Sequence, residues 1–391
     1  MQLRYCRTIL LACLTVLLII IAGCGGANSS LGNSPSNPGT VAPPGGNPHS
    51  STFIYVEGDR FGAPNNTFAF RFNSDGSTAA VPGSPFTNPQ EVFTQAGKFL
   101  VGHDSSGFNV ALYPVDANTG APQPPVSVST ATARVMVADA VNVYSSLPGK
   151  GGNDAIDTLT IADGKLTPVP GSPFFIPGSP NNYFPLQLTS SLLFAGRFTD
   201  SIALGDPSKD DSDVTVFSRS SNGALARFAA IGFGRGVFSL VIHPSTRFLY
   251  KLDLGSGADC TLNVYSFDAN SGASALVQQM LFPGCSAGKF VSGDKQGRYL
   301  FVTGNLPGVH VFSIDQNSGR ISEVSGSPFF QTDGSISAVQ SDPSGQFVVL
   351  LRNPNSFQIA TLDAGTGKLT TVAAPVTIDA QNIGGITFAV F

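Results

Sequence analysis

Gly284-Cys285-Ser286-Ala287-Gly288 spells G-x-S-x-G. That spacing exposes a nucleophilic serine where a strand of a parallel sheet turns sharply into a helix. No helical periodicity follows it here, and the segment links two strand-like runs, so it reads as a connection. His103-Asp104 sets an imidazole beside a carboxylate at the end of an apolar strand. A general base held by a carboxylate has that composition, and so does an ordinary loop pair. Asp206 to Asp213 reads DPSKDDSD. Clustered carboxylates can bind Ca²⁺, but this order lacks the alternate-ligand spacing of known loops and reads as a solvated insertion. The four histidines, His49, His103, His243 and His310, are too scattered to suggest a metal site. Neither a metal nor a cofactor is expected.

The elements that would position these residues repeat along the chain. An alternating strand runs into an Asn/Asp-rich turn ending at Gly76, Gly120, Gly164, Gly223, Gly272, Gly319 and Gly367, with spacings of 44, 44, 59, 49, 47 and 48. Each glycine supplies the positive φ that a hairpin needs. The DPSKDDSD insertion explains the spacing of 59. Upstream of each turn lies a second apolar strand, as in KFLVG, RFLYK, RYLFV and QFVVL. A tight turn and a further strand precede most of these, and a weaker fourth strand follows each glycine. Four strands in each of seven units predict an all-β chain folded as a seven-bladed β-propeller of antiparallel blades. The first unit lacks an inner strand, while GGITFAVF at the end of the chain is an inner strand without a blade. The C-terminal strand is therefore expected to pair beside Phe53 to Val56 and close the ring. VPGSPF at Val81 and Val169 and VSGSPF at Val324 recur as punctuation, expected to leave the outermost strand and turn toward the next blade.

The N-terminal segment is different. Arg4 and Arg7 precede an apolar run that stops at Ile21-Ala22-Gly23-Cys24. This is a secretory signal pattern, and its ending resembles a bacterial lipobox, in which the cysteine is acylated and becomes the first residue. Residues 1–23 are expected to be the signal and 24–51 a Gly/Ser/Asn/Pro tether. The propeller is expected over 52–391. Acyl chains on Cys24 would make the membrane a partner and place the protein in the cell envelope. Only 12% of residues are charged, with 44 Gly and 28 Pro, as suits an exported β protein. A net charge of −4 argues against a nucleic-acid partner.

Strand parity puts the loops after second strands and after fourth strands on one face. That mouth would carry Glu57, Arg60, Glu91, His103, Asp104, Arg134, Arg197, Arg235, Asp253, Asn305 and Arg352, a mixed-charge surface suited to a small ligand or a protein partner. With Cys6 and Cys13 in the signal and Cys24 acylated, Cys260 and Cys285 remain. Both fall in loops of the mouth face, and a disulfide between them is expected.

The F-L-Y-V strands, V-x-V-F strands and D/N-x-x-G-x-L hairpins resemble the lactonase-type seven-bladed propellers, the relatives of propeller 6-phosphogluconolactonase and of YVTN-repeat surface proteins. In that family one segment carries Pro-Arg-His, then Phe-His-Pro, then a strand ending in Asn-Glu. The matching stretch is GVFSLVIHPSTRFLYKLDLGSG, Gly236 to Gly257. Ile242-His243-Pro244 matches the turn, Val237-Phe238-Ser239 replaces Pro-Arg-His, and Leu252-Asp253 stands at Asn-Glu. The resemblance implies a sugar-lactone hydrolase with Asp253 as its candidate catalytic acid. The replaced Arg and His point instead to a binding protein. His243 aligns with Asp294 and Asp342, which begin the equivalent turns, so it reads as a turn residue. A chain with no Trp cannot supply the docking tryptophans of PQQ-type dehydrogenase propellers.

Overall fold

Second strands such as Phe99–His103 and Tyr299–Thr303 are buried on both faces, so they read as unbroken apolar runs and must be covered on each side. A ring of blades satisfies that demand. The computed structural model describes residues 51–391, apart from 61–62, 88, 90, 105–108, 133–134, 151–152, 177–184, 198–212, 233–236, 255–258, 283–289, 304–307 and 332–334. Its strands form seven antiparallel sheets of four strands on the main path. Blade 2 comprises Glu91–Ala96, Phe99–His103, Asn109–Pro114 and Ser127–Thr132; blade 5 comprises Val237–Ile242, Phe248–Leu254, Cys260–Phe267 and Ser274–Phe282.

Ring closure follows the sequence expectation. Asn382–Val390 is the inner strand of blade 1 and pairs antiparallel with Thr52–Arg60, Phe53 opposite Ala389 and Val56 opposite Ile386. Gln95 of blade 2 brackets the closing strand, its Nε2 donating to the Val390 carbonyl at 2.6 Å and its Oε1 accepting from the Val390 N–H at 2.9 Å.

The buried side chains fall into one cluster per seam. Phe53, Tyr55, Leu100 and Tyr113 join blades 1 and 2, and Phe248, Tyr250, Leu300 and Phe312 join blades 5 and 6. The hairpin glycines set how closely blades approach. Gly120 and Gly319 have φ of 79° and 72°, and a Cβ on either would lie 2.3 Å from the ring of Phe53 or Phe248 in the preceding blade. Tyr55 and Tyr250 then donate their hydroxyls to the carbonyls of the same glycines, at 2.8 and 3.2 Å. The repeated sequence letters are thus an inter-blade joint.

The GSPF motif requires a correction. It interrupts the fourth strand instead of ending it. The Ser-Pro bonds at Pro85, Pro173 and Pro328 are cis, and each serine hydroxyl accepts a third-strand N–H, from Ala69, Thr158 and Val311 at 2.9–3.0 Å. The chain then rejoins the same third strand. Phe86 bridges Thr67, Phe329 bridges Val309, and Phe174–Ile176 pairs with Asn153–Ala162. Proline cannot donate to the ladder, so the serine side chain and the returning phenylalanine backbone satisfy the third strand.

His243 is a turn residue, as the alignment with Asp294 and Asp342 implied. Its Nε2 donates to the Gly297 carbonyl at 2.9 Å, and its Nδ1 accepts the Ser245 N–H at 3.1 Å. Burial lowers its pKa, consistent with a neutral ring. Asp294 and Asp342 accept the backbone N–H groups of Tyr299 and Phe347 in the equivalent turns, at 2.9 and 2.8 Å. Those turns close on Gly297 and Gly345 with φ of 71° and 69°, whereas blade 5 places Thr246 there at φ 61°. A β-branched residue is strained in that region. Thr246→Gly is therefore expected to stabilise the protein by about 0.5–1 kcal/mol, the strain relieved minus the added unfolded-state entropy. Urea denaturation of the two proteins checks this; a less stable variant would contradict it.

Candidate functional site: the propeller mouth

Second strands end, and inner strands begin, on one face. In blade 2 this register sets His103 opposite Glu91. The His103 Nδ1 lies 3.2 Å from the Glu91 Oε2, with the histidine side chain 7% and the glutamate side chain 17% exposed. Burial raises the Glu91 pKa. Tyr113 donates to the His103 carbonyl at 2.8 Å and fixes the strand end. A carboxylate that meets the imidazole is thus Glu91, from the neighbouring strand. Asp104, just past the strand end, accepts from Asn109 Nδ2 at 2.9 Å.

Asp253 is the penultimate residue of the second strand of blade 5, opposite Val237. Its Oδ2 takes the Lys251 ammonium at 2.9 Å and the Asn263 amide at 2.6 Å, and Gln279 donates to Asn263 Oδ1 at 2.9 Å. Lys251 also pairs closely with Asp213 of blade 4 and lies 5.6 Å from the centre of the Tyr265 ring. Lys251 and Asp213 are 1% and 2% exposed. Gly232, at φ 69°, lets this seam close; a Cβ there would lie 2.8 Å from Asp213 Oδ2 and 3.2 Å from Lys251 Nζ. Burial pushes the Asp253 carboxyl up to about 7, countered by Lys251 and reinforced by Asp213. Burial alone would lower the Lys251 pKa, but the two carboxylates outweigh it and hold the ammonium charged.

Asp213 corrects the solvated-loop reading of DPSKDDSD at its last residue; residues 206–212 lie outside the described residues. Its backbone N–H donates to the Gly232 carbonyl at 3.0 Å, and its carbonyl accepts the Arg197 N–H at 2.7 Å. Arg197, just past the strand Leu192–Gly196, is largely buried, and its carbonyl takes the Val237 N–H at 2.7 Å, tying blade 4 to blade 5. Arg352 ends the second strand of blade 7 and donates to Gln358 Oε1 at 3.1 Å. Arg134, Arg235 and Asn305 lie outside the described residues, as do Cys24 and the G-x-S-x-G stretch from Gly284 to Gly288. The ionisable groups are thus spread around the ring on blades 2, 4, 5 and 7.

Cys260 is disulfide-bonded and stands opposite Phe282, three residues before Cys285, which lies outside the described residues. Two surface hollows among the described residues flank Phe99 and Lys165, and Phe347 and Lys368, on the opposite, hairpin face. Among the described residues no group of His, Cys, Asp and Glu is arranged to hold a metal ion.

The arrangement has solved counterparts. A candidate 6-phosphogluconolactonase from Bacteroides fragilis superposes with a TM-score of 0.68 at 18% identity, over 88% of this chain and 99% of that one. The chain has the fold of the lactonase-type seven-bladed propellers. A candidate 6-phosphogluconolactonase from Bacteroides uniformis gives a TM-score of 0.65 at 15% identity, covering 87% of this chain and all of its own. The periplasmic gluconolactonase of Pseudomonas aeruginosa gives 0.62 at 17%, over 87% and 99%. No family model matches the sequence, and no curated protein does. At these identities the lactonase-type likeness is one of fold, and activity has to be argued from side chains.

Proposed function

We propose that this chain is an envelope lipoprotein, acylated at Cys24, whose propeller mouth binds a small ligand or a protein partner without hydrolysing lactones. One observation carries the reading. Where the resemblance expects an arginine and a histidine, Phe238 is buried, and Ser239 is committed to the fold: its hydroxyl donates to the Val291 carbonyl at 3.1 Å and accepts the Val291 N–H at 3.2 Å. The Ser239 hydroxyl is spent on the joint between blades 5 and 6, and neither side chain is a charged group that could stabilise an oxyanion or move a proton. The second reading, a lactone hydrolase, rests on Asp253, whose pKa near neutrality suits an acid or base. Its burial against Lys251 and Asn263 favours a structural role. The periplasmic location named for the Pseudomonas aeruginosa neighbour supports envelope placement.

Two measurements test this proposal. Cys24→Ser should move the protein from the membrane to the soluble fraction; unchanged retention would contradict the anchor. In a thermal-shift screen of sugar acids, sugar lactones and peptidoglycan fragments, a stabilising ligand should lose its effect with His103→Ala and Arg352→Ala. Undiminished shifts in both variants would place binding away from the mouth.

A further inference from the structure

The seam between blades 4 and 5 holds two carboxylates and one ammonium in a space nearly sealed from water. Lys251 contacts both Asp213 and Asp253, Asn263 takes the remaining bond to Asp253 Oδ2, and Gly232 and Tyr265 close over the group. Asp253 Oδ1 is buried and has no hydrogen-bond partner. With both acids ionised, Lys251, Asp213 and Asp253 together carry a net charge of −1, and Arg197 stands largely buried beside Asp213. Burial of such an unbalanced charge is costly, whereas one proton on Asp253 makes the group neutral.

We propose that Asp213, Lys251 and Asp253 form a one-proton latch, closed while Asp253 holds a proton and loosened at the mouth end of blades 4 and 5 when that proton leaves to water. Among the described residues, the groups facing Asp253 come from blades 4 and 5. Asp213 comes from blade 4, beside Arg197, whose backbone bonds both Asp213 and Val237. Lys251, Asn263, Tyr265 and Gln279 come from blade 5, whose inner strand Val237–Ile242 contributes no ionisable side chain. Lys251 stays charged throughout, so the proton balance rests on the carboxylates. The direction follows by linkage. The folded pKa of Asp253 lies above its ordinary value of 3.8, near 7, so the stabilisation is complete below about pH 4 and is lost as pH rises to about 7.

Hydrogen exchange with mass spectrometric readout tests the latch on the intact protein at pH 5 and pH 8, after correction for intrinsic exchange rates. Peptides covering Asp213–Val216 and Lys251–Asp253 should lose protection by about tenfold or more at pH 8, a factor of ten for each pKa unit of differential proton binding. Glu91 also titrates upward, so the blade 2 peptide around Glu91–Ala96 serves as the internal comparison for effects outside this seam. Asp253→Asn should keep the seam protected at both pH values. Asp213→Asn leaves one acid and one base and should flatten the response independently. A wild-type seam with equal protection at pH 5 and 8 would overturn the proposal, as would a pH response that persists in both variants.

Discussion

Lys251→Met should lower the stability of the propeller by about 3–5 kcal/mol, the cost of removing one partner from a buried ion pair. The side chain is 1% exposed and its ammonium is shared by Asp213 and Asp253, so its loss leaves two carboxylates facing each other in the blade 4–5 seam. Coulomb repulsion and desolvation then act together in an almost fully buried site. Much of that cost should be recovered by adding Asp253→Asn, because a neutral amide removes the unpaired charge and keeps the bond partners in place. Urea denaturation of the single and double variants measures the coupling. A loss below about 1 kcal/mol in Lys251→Met, the range of an exposed pair, would show that water reaches the cluster.

Loss of the Cys260 disulfide costs about 3–4 kcal/mol if it closes a loop of roughly 25 residues to Cys285, by the chain-entropy relation. Cys260 begins the third strand of blade 5 and is fully buried, and its register partner Phe282 ends the fourth strand. A bridge just beyond this last rung would hold the blade closed at the mouth, next to Asp253. Peptide mapping of the unreduced protein should recover the Cys260 and Cys285 peptides linked, and Cys260→Ser should lower the melting temperature. Cys285 recovered as a free thiol would exclude the pairing.

Blade number, ring closure and the role of His243 were legible because each rests on a repeated local rule. Strand alternation and positive-φ hairpin glycines are written seven times with small variations, and the turn-opening acceptor recurs at His243, Asp294 and Asp342. The GSPF motif was legible as punctuation but not as a bulge, because the register of its serine against Ala69, Thr158 and Val311 depends on the third strand. His103-Asp104 could be read as a base held by a carboxylate or as an ordinary loop pair. Cross-strand register, which sequence order hides, sets Glu91 against His103. Lys251 was missed altogether, although the repeat carried the signal. Val56, Gly102, Ser145, Ala195, Val302 and Leu350 occupy the equivalent second-strand position in the other blades, so a lysine there must be buried and needs a counter-charge. What the repeat could not supply was that counter-charge, since Asp213 belongs to the insertion that breaks the spacing.

The central claim is that the mouth binds and does not hydrolyse. The direct test is turnover of a panel of γ- and δ-lactones of sugar acids, with and without a 6-phosphate, by the purified domain and by Asp253→Ala. Hydrolysis indistinguishable from the buffer rate for both proteins is the result expected when Phe238 and Ser239 stand where an arginine and a histidine would act. Enzymatic turnover by the wild-type domain, abolished by Asp253→Ala, would contradict the account and make this propeller a lactone hydrolase.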